Sequence, residues 1–200
     1  MNDKAPATSR LRTLLHFFSK PSAKYSLLTL VIFGFVAGIL SWGGFHAGLD
    51  STNTTKFCVG CHEMNDTVYL EYKETVHYSN RSGMRAGCPD CHVPKDFANK
   101  MVAKVKAAND VWGNLTGTID TKEKFETKRM AMAQNTWDKM KASDSRECRN
   151  CHTEEAMSAQ KQRPSAQKKH ASAKQEGKTC IDCHKGIAHL LPKEYKDPDE

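Results

Sequence analysis

The sequence predicts a mainly α-helical protein with long loops, in which one N-terminal membrane helix precedes a larger domain outside the membrane. Three observations lead to this prediction: an uncharged apolar run over 25–49, four copies of one cysteine-containing pentapeptide, and no segment with the alternating pattern of a half-buried strand. Only 38% of the 200 residues are apolar, and many of these lie near the N-terminus. The rest of the chain is therefore too polar to build a large core from its own side chains.

The run over 25–49 is long enough to cross a bilayer, because a helix of about 20 apolar residues spans the hydrocarbon. A cleaved signal peptide is the alternative, but its apolar stretch is about 7–15 residues long. We therefore expect a retained anchor. The segment 1–24 is basic and contains Arg10 and Arg12. Positive charges before a membrane helix favour a cytoplasmic N-terminus, so we expect 50–200 to form a domain in the bacterial periplasm.

The pentapeptide Cys-x-x-Cys-His uses every cysteine of the chain. Its copies comprise Cys58, Cys61 and His62; Cys88, Cys91 and His92; Cys148, Cys151 and His152; and Cys180, Cys183 and His184. This motif attaches c-type haem through two thiols, and its histidine is the proximal iron ligand. Disulfides and structural zinc are the alternatives, but neither requires a histidine after every second cysteine. We predict four covalent haems, whose apolar macrocycles supply the buried mass that the chain lacks.

The motifs fall into two similarly spaced pairs, which begin at 58 and 88 and at 148 and 180. One further histidine lies within each pair, His77 in the first and His170 in the second. We interpret this as two pseudo-repeated dihaem units over about 50–115 and 140–192. His77, His170 and the later His189 are then expected as distal ligands of three bis-histidine haems. Such irons are closed to substrates, as an electron carrier requires.

No fourth spare histidine of the outer domain is left for the first haem. Met64 follows the first motif closely, and a thioether can ligate haem iron. Met64 as an ordinary filler of apolar gaps is the alternative, with His62 as the ligand of the first haem. The residues alone leave both open.

Several stretches resemble the NapC/NirT family of membrane-anchored tetrahaem quinol dehydrogenases, and the similarity runs from about Pro21 to Pro192. The matching stretches are Trp42–Phe45, Phe57–Met64, Val76–Gly83, Cys88–Pro94, Met132–Trp137 and Cys180–His189. The resemblance implies that electrons pass from membrane menaquinol or ubiquinol through the haems to a periplasmic reductase. It is closest to members that serve nitrate reductase.

The resemblance also implies roles for individual residues. Met64 would bind the iron of the first haem in place of His62, and Asp90 would lie near its other face, beside the quinol. Asp90 is the first choice as proton acceptor and Glu63 the second. A basic residue before the second motif also lines the quinol pocket in relatives, and Arg81 and Arg85 both match. Lys95 departs from the pattern, since some relatives have a ligating histidine there.

Helices are predicted over 65–77, 96–116, 122–142 and 156–175. The net charge of +7 fits an acidic reductase, an anionic lipid surface or a merely solvated face. No sequence signature of nucleic-acid binding accompanies it. Gly34 and Gly38 favour close approach of a second membrane helix, and hence a homo-oligomer.

Two other functions remain open. One is an electron conduit without its own quinol site, and the other is a terminal reductase acting on a small oxyanion. Partners that reduce nitrite, trimethylamine N-oxide or dimethyl sulfoxide are alternatives to nitrate reductase.

Overall fold

The computed structural model describes residues 24–196, so the predicted cytoplasmic segment lies outside the described residues except for Lys24. The chain divides into two compact units, and the boundary in sequence lies between Leu49 and Asp50. The first contains most of helix α1, Leu27–Ser51, which is long and apolar enough to cross a membrane. Its 25 residues, at about 1.5 Å each, exceed the roughly 30 Å of a hydrocarbon core. None of its side chains is buried.

The second unit is built of helices and loops, and the described part of the chain has no strand. Its short helices are α2 (Thr55–Cys58), α3 (His62–Asn65), α4 (Val68–Lys73), α5 (Cys88–His92), α8 (Arg146–Arg149) and α10 (Cys180–Cys183). Its longer helices are α6 (Phe97–Leu115), α7 (Lys122–Ala142) and α9 (Pro164–Gln175). A single turn of 3-10 helix covers Ala159–Lys161.

The two longest helices, α6 and α7, each begin directly after a residue whose side chain caps the helix. The Asp96 carboxylate accepts a hydrogen bond from the Asn99 N–H, and the Thr121 hydroxyl accepts one from the Lys124 N–H, at 3.0 and 3.3 Å. Both residues occupy the N-cap position, where such side chains satisfy an orphan backbone donor. The helices predicted over 96–116 and 122–142 are confirmed to within one residue at each end.

The other two helix predictions were wrong in extent. The segment 65–77 is helical only at Asn65, which ends α3, and over α4. The two helices are interrupted at Thr67, whose hydroxyl donates to the Glu63 carbonyl and competes with the helical pattern. The segment 156–175 becomes α-helical only at Pro164. Arg163 is extended, with φ −61° and ψ 145°, as a residue before proline prefers.

The second unit has a very small apolar core. Among the described residues, the buried apolar ones are Tyr72, Phe125, Ile181 and two prolines, Pro94 and Pro192. Side-chain hydrogen bonds to the backbone join segments that are far apart in sequence. The Tyr72 hydroxyl donates to the Ala86 carbonyl at 2.5 Å, and the Ile181 N–H donates to the Ser145 hydroxyl at 3.2 Å.

Ser145 is the most enclosed of these residues, with no exposed surface and a left-handed φ of 50°. Replacing it with alanine leaves the Ile181 N–H buried without an acceptor. We expect Ser145→Ala to lower the free energy of unfolding by about 1–3 kcal/mol. Thermal unfolding of the full haem-loaded protein measures this, with the exposed Ser158→Ala as control. Equal melting temperatures for the two variants would contradict this role.

Candidate functional site

The second and fourth cysteine motifs each form a short helix whose first turn is capped by the aspartate of the motif. Asp90 is the third residue of α5, and its carboxylate accepts a hydrogen bond from the Gly87 N–H at 2.8 Å. Asp182 has the same place in α10 and accepts from the Thr179 N–H at 2.8 Å. Acceptors in a first helical turn offset the unpaired backbone donors there, so the Asp-Cys-His sequence of both motifs carries its own helix start.

The motifs adjoin in the order of the chain. The Cys88 N–H donates to the Thr55 hydroxyl at 3.3 Å, which joins α5 to α2. A hydrogen bond between the two thiols raises the pKa of Cys58 and lowers that of Cys88 to about 6. Cys148 is near enough to Cys91 to help raise its pKa, although burial is the larger cause. None of the eight cysteines forms a disulfide.

Six of the predicted iron ligands face each other in three pairs. The ring centroids are 6.2 Å apart for His77 and His152, 6.2 Å for His92 and His189, and 6.0 Å for His170 and His184. Metal–nitrogen bonds of about 2 Å, with about 1.1 Å from nitrogen to ring centre, place two axial imidazoles roughly 6 Å apart. The observed spacing therefore fits one iron between the rings of each pair, with the motif cysteines alongside.

The hydrogen bonding of the distal rings also suits ligation. The Nδ1 atoms of His77 and His189 are buried and have no hydrogen-bond partner. Burial lowers the pKa of His189, which favours the neutral imidazole that binds metals. Nδ1 of His170 lies 2.7 Å from the Gln162 side-chain oxygen, which fixes the ring and leaves Nε2 for a ligand.

The first motif differs from the other three. Its His62 has a side chain that is 65% exposed and pairs with no second histidine ring in the described part of the chain. Met64 is partly exposed, at 37%. Between them, Glu63 is only 3% exposed. One Glu63 oxygen accepts from the Asn114 amide at 2.8 Å, and the other is buried, without a hydrogen bond, 3.9 Å from Nδ1 of His62.

The remaining predicted site residues lie on or before α5. Asp90 is exposed, and Arg81 is exposed in the loop before the second motif. The Arg85 guanidinium lies 4.0 Å above the Tyr78 ring centre, and its Nε–H donates to the Tyr78 carbonyl at 2.9 Å. The structure therefore fixes Arg85 in place near Cys88.

Sequence reasoning missed two features around the ligands. Asn114, which holds Glu63, lies in the last turn of α6, and nothing in its neighbourhood distinguishes it. A buried ion pair between Glu71 and Arg129 contacts the residue after His189. The one sequence feature that could have predicted this pair is that Arg129 follows the apolar Phe125 by four residues, and so shares the buried face of α7.

Four haem-attachment motifs and three facing histidine pairs on a helical scaffold define a multihaem c-type cytochrome. The family described as "NapC/NirT cytochrome c family, N-terminal region" matches residues 20–194, and the chain belongs to this family. The structure and the family relationship together indicate an electron-transfer cytochrome anchored to a membrane.

Three relatives are similar to this chain over nearly its whole length. The denitrification system component NirT of Stutzerimonas stutzeri is 54% identical over 200 residues, which is 100% of both chains. The cytochrome c-type protein NapC of Escherichia coli K12 is 51% identical over 96% of this chain and 94% of its own. TorC of the same organism is 45% identical over 91% of this chain but only 47% of its own. No solved structure gives a significant match.

Asp182 in the fourth motif titrates unusually low. Hydrogen bonds from Lys141, at 2.7 Å, and from the Thr179 N–H lower its pKa from 3.8 to about 2. A carboxyl with a lowered pKa stabilises the fold above its unfolded value, and that contribution is lost as the pH falls through the folded value. Lys141→Met removes the largest cause, so the Asp182 pKa should rise toward 3.8.

We therefore expect Lys141→Met to begin acid unfolding at a higher pH than the wild type. Because Lys141 is 63% exposed, the loss at pH 7 should be about 1 kcal/mol or less. Circular dichroism between pH 5 and 2 measures it, with Lys139→Met in the same turn as control. An unchanged acid transition in Lys141→Met would exclude this assignment.

Proposed function

We propose that this protein oxidises quinol in the membrane and passes the electrons through its four haems to a periplasmic reductase. The observation that carries this proposal is the contrast among the four sites. Three motif histidines face a second histidine at 6.0–6.2 Å, while His62 of the first motif does not. Closed irons suit electron relay, and a different first site suits contact with a substrate.

The ligand pairs proposed here join distant parts of the chain. His77 and His152 would bind the iron of the haem at the third motif. His189 and His92 would bind the iron of the haem at the second motif. His170 serves the fourth with His184. Met64 or His62 binds the first. Each bound haem supplies one-electron transfer, while the chain sets ligation, distance and exposure to solvent.

We also propose that the domain is a duplicated dihaem unit. Thr55 and Ser145 each stand three residues before the first cysteine of an odd-numbered motif. Each hydroxyl accepts a backbone N–H from the next motif, from Cys88 in one case and Ile181 in the other. Asp90 and Asp182 cap the helices of both even-numbered motifs in the same way. These matched contacts support the repeat that the spacing predicts.

The quinol site is proposed beside the first motif, near the membrane. Asp90 lies on α5, which is joined to α2 of that motif through Thr55, and its exposed carboxylate can take a proton from the quinol. Arg81 and Arg85 are both exposed, and Arg85 is our choice to bind the quinol oxygen because its contacts with Tyr78 fix its guanidinium. Glu63 has its buried carboxyl group beside His62 and remains the second candidate for the proton.

The membrane helix is proposed to carry its N-terminus in the cytoplasm, with 50–200 in the periplasm. Nothing lies within 4 Å of where a β-carbon of Gly34 or Gly38 would be, so this face has room for the helix of a second copy. Nitrate reductase is the partner that the resemblance implies. The relatives also include a denitrification system component and TorC, so other reductases are alternatives.

The experiment that tests this function uses the full-length, haem-loaded protein in liposomes under anaerobic conditions. A menaquinol analogue is added, and the haem α-band is followed with and without a quinol-site inhibitor. We expect fast reduction that the inhibitor blocks. Reduction by dithionite but not by quinol would contradict a quinol site and leave a conduit fed by another protein.

In the same assay, Asp90→Asn should slow reduction by quinol at least about tenfold, since a positioned proton acceptor contributes roughly 100-fold or more. Reduction by dithionite should not change. Asp182→Asn is a matched control, because it alters the same cap in the fourth motif. Equal slowing in both variants would assign Asp90 to the cap alone.

The partner surface is proposed around the fourth haem. Lys161 and Arg163 flank Gln162, to which His170 is hydrogen-bonded, and Lys168 and Lys169 directly precede His170 on α9. All four are exposed, and no ion pair involves them in the described residues. A cluster of this kind attracts an acidic protein and speeds its association.

We expect the double variant Lys161→Glu, Lys168→Glu to slow electron delivery to purified periplasmic nitrate reductase by about tenfold at low salt. The difference should shrink as ionic strength rises. Lys122→Glu, Lys128→Glu is the charge-matched control on α7. If both double variants slow the reaction equally, net charge alone explains the effect.

A further inference from the structure

A buried ion pair links helices α4 and α7 to the segment that carries His189. Arg129 on α7 is 8% exposed, and the Glu71 side chain on α4 is 14% exposed. The guanidinium donates two hydrogen bonds to the Glu71 carboxylate, at 2.8 and 2.6 Å. Two-pronged contacts of this kind fix orientation as well as distance. A third bond, at 3.0 Å to Glu126, holds Arg129 on its own helix.

Both members of the pair continue to the same backbone residue. Arg129 donates to the Leu190 carbonyl at 2.7 Å, and the Leu190 N–H donates to the Glu71 carboxylate at 2.9 Å. The pair therefore satisfies both backbone groups of Leu190, which directly follows His189. We call these three residues the Leu190 clamp.

Other contacts of this stretch involve neighbouring residues: the Leu191 side chain lies against Gly186, and the Tyr195 ring packs on Trp137 of α7. Leu190 itself is 69% exposed, so packing of its side chain does not hold it. The described residues after α10 form no further helix. The His189 ring must nevertheless stay 6.2 Å from the His92 ring for both to bind one iron. The two hydrogen bonds of the clamp connect the Leu190 backbone to Arg129 on α7 and to Glu71 on α4.

We propose that Glu71 and Arg129 are positioning residues that hold His189 as the sixth ligand of the haem at His92. This inference rests on the ligand pairs proposed above. Without the clamp, the backbone at Leu190 is released and His189 leaves the iron for part of the time. The iron then has an open position, which external ligands can enter. A pair that only stabilised the fold would not change ligation at one particular haem.

The test uses full-length, haem-loaded protein reduced with dithionite, and the probe is carbon monoxide. Arg129→Gln and Glu71→Gln should each bind carbon monoxide at one more haem than the wild type, with a matching gain of high-spin signal in the oxidised protein. Free imidazole should return the oxidised variants to the low-spin spectrum. Lys124→Gln is the control, because Lys124 lies on the same helix as Arg129 and forms an exposed ion pair with Asp120, which precedes that helix.

If Arg129→Gln fails to mature, Arg129→Lys decides. A lysine keeps the charge but not the forked contact to Glu71 and Leu190, so it should still raise carbon monoxide binding partially. Wild-type carbon monoxide binding in the variants that mature would overturn the proposal.

His189→Ala separates this failure from failure of the ligand assignment. If His189→Ala opens one haem while the clamp variants do not, only the clamp is excluded. If His189→Ala opens none, His189 is not a ligand and the proposed pairing itself is wrong.

Discussion

The shortage of apolar side chains in the outer domain determines how the rest of the structure is held together. The apolar residues that become buried in its described part are Tyr72, Phe125, Ile181, Pro94 and Pro192, far fewer than a domain of this size needs. Polar contacts to the backbone take over: Ser145 with Ile181, and Arg129 with Leu190. A cytochrome that wraps several large apolar cofactors can work with such a scaffold, because the cofactors provide the surface that is buried.

The local features of this fold could be predicted from the sequence, while the pairing of distant residues could not. The α7 boundaries follow from Thr121 and the residues after it, and the haem motifs are contiguous. The spacing gave His77 and His170 the same expected role, yet His77 faces a motif in the other half of the domain and His170 one in its own. Sequence spacing does not encode which segments meet. The burial of Glu63 could not be predicted for the same reason, since Asn114, which donates a hydrogen bond to it, lies 51 residues away.

The family relationship and the geometry support different parts of the functional argument. The match over residues 20–194 places the chain in the NapC/NirT cytochrome c family, and its long apolar helix fits a membrane anchor. The three facing histidine pairs, proposed as ligands of three irons, would explain physically how such a chain can carry electrons without reacting with small molecules on the way. The first motif, with the exposed His62 beside the buried Glu63, is where the chain departs from that closed design. A substrate is therefore best sought there, and an acceptor at the opposite end of the series of motifs.

The facing of His92 and His189 has a consequence for how the protein is made. For a chain exported from its N-terminus, the second motif would reach the haem-attachment machinery long before residue 189 has crossed the membrane. On the ligand pairs proposed above, the haem at His92 would keep one axial position unfilled throughout that interval and would close only when His189 arrives. Chains that lack His189 would then be reactive towards small ligands, so cells would have reason to degrade them quickly. Export of the segment around His189 would be the step that makes this haem chemically inert.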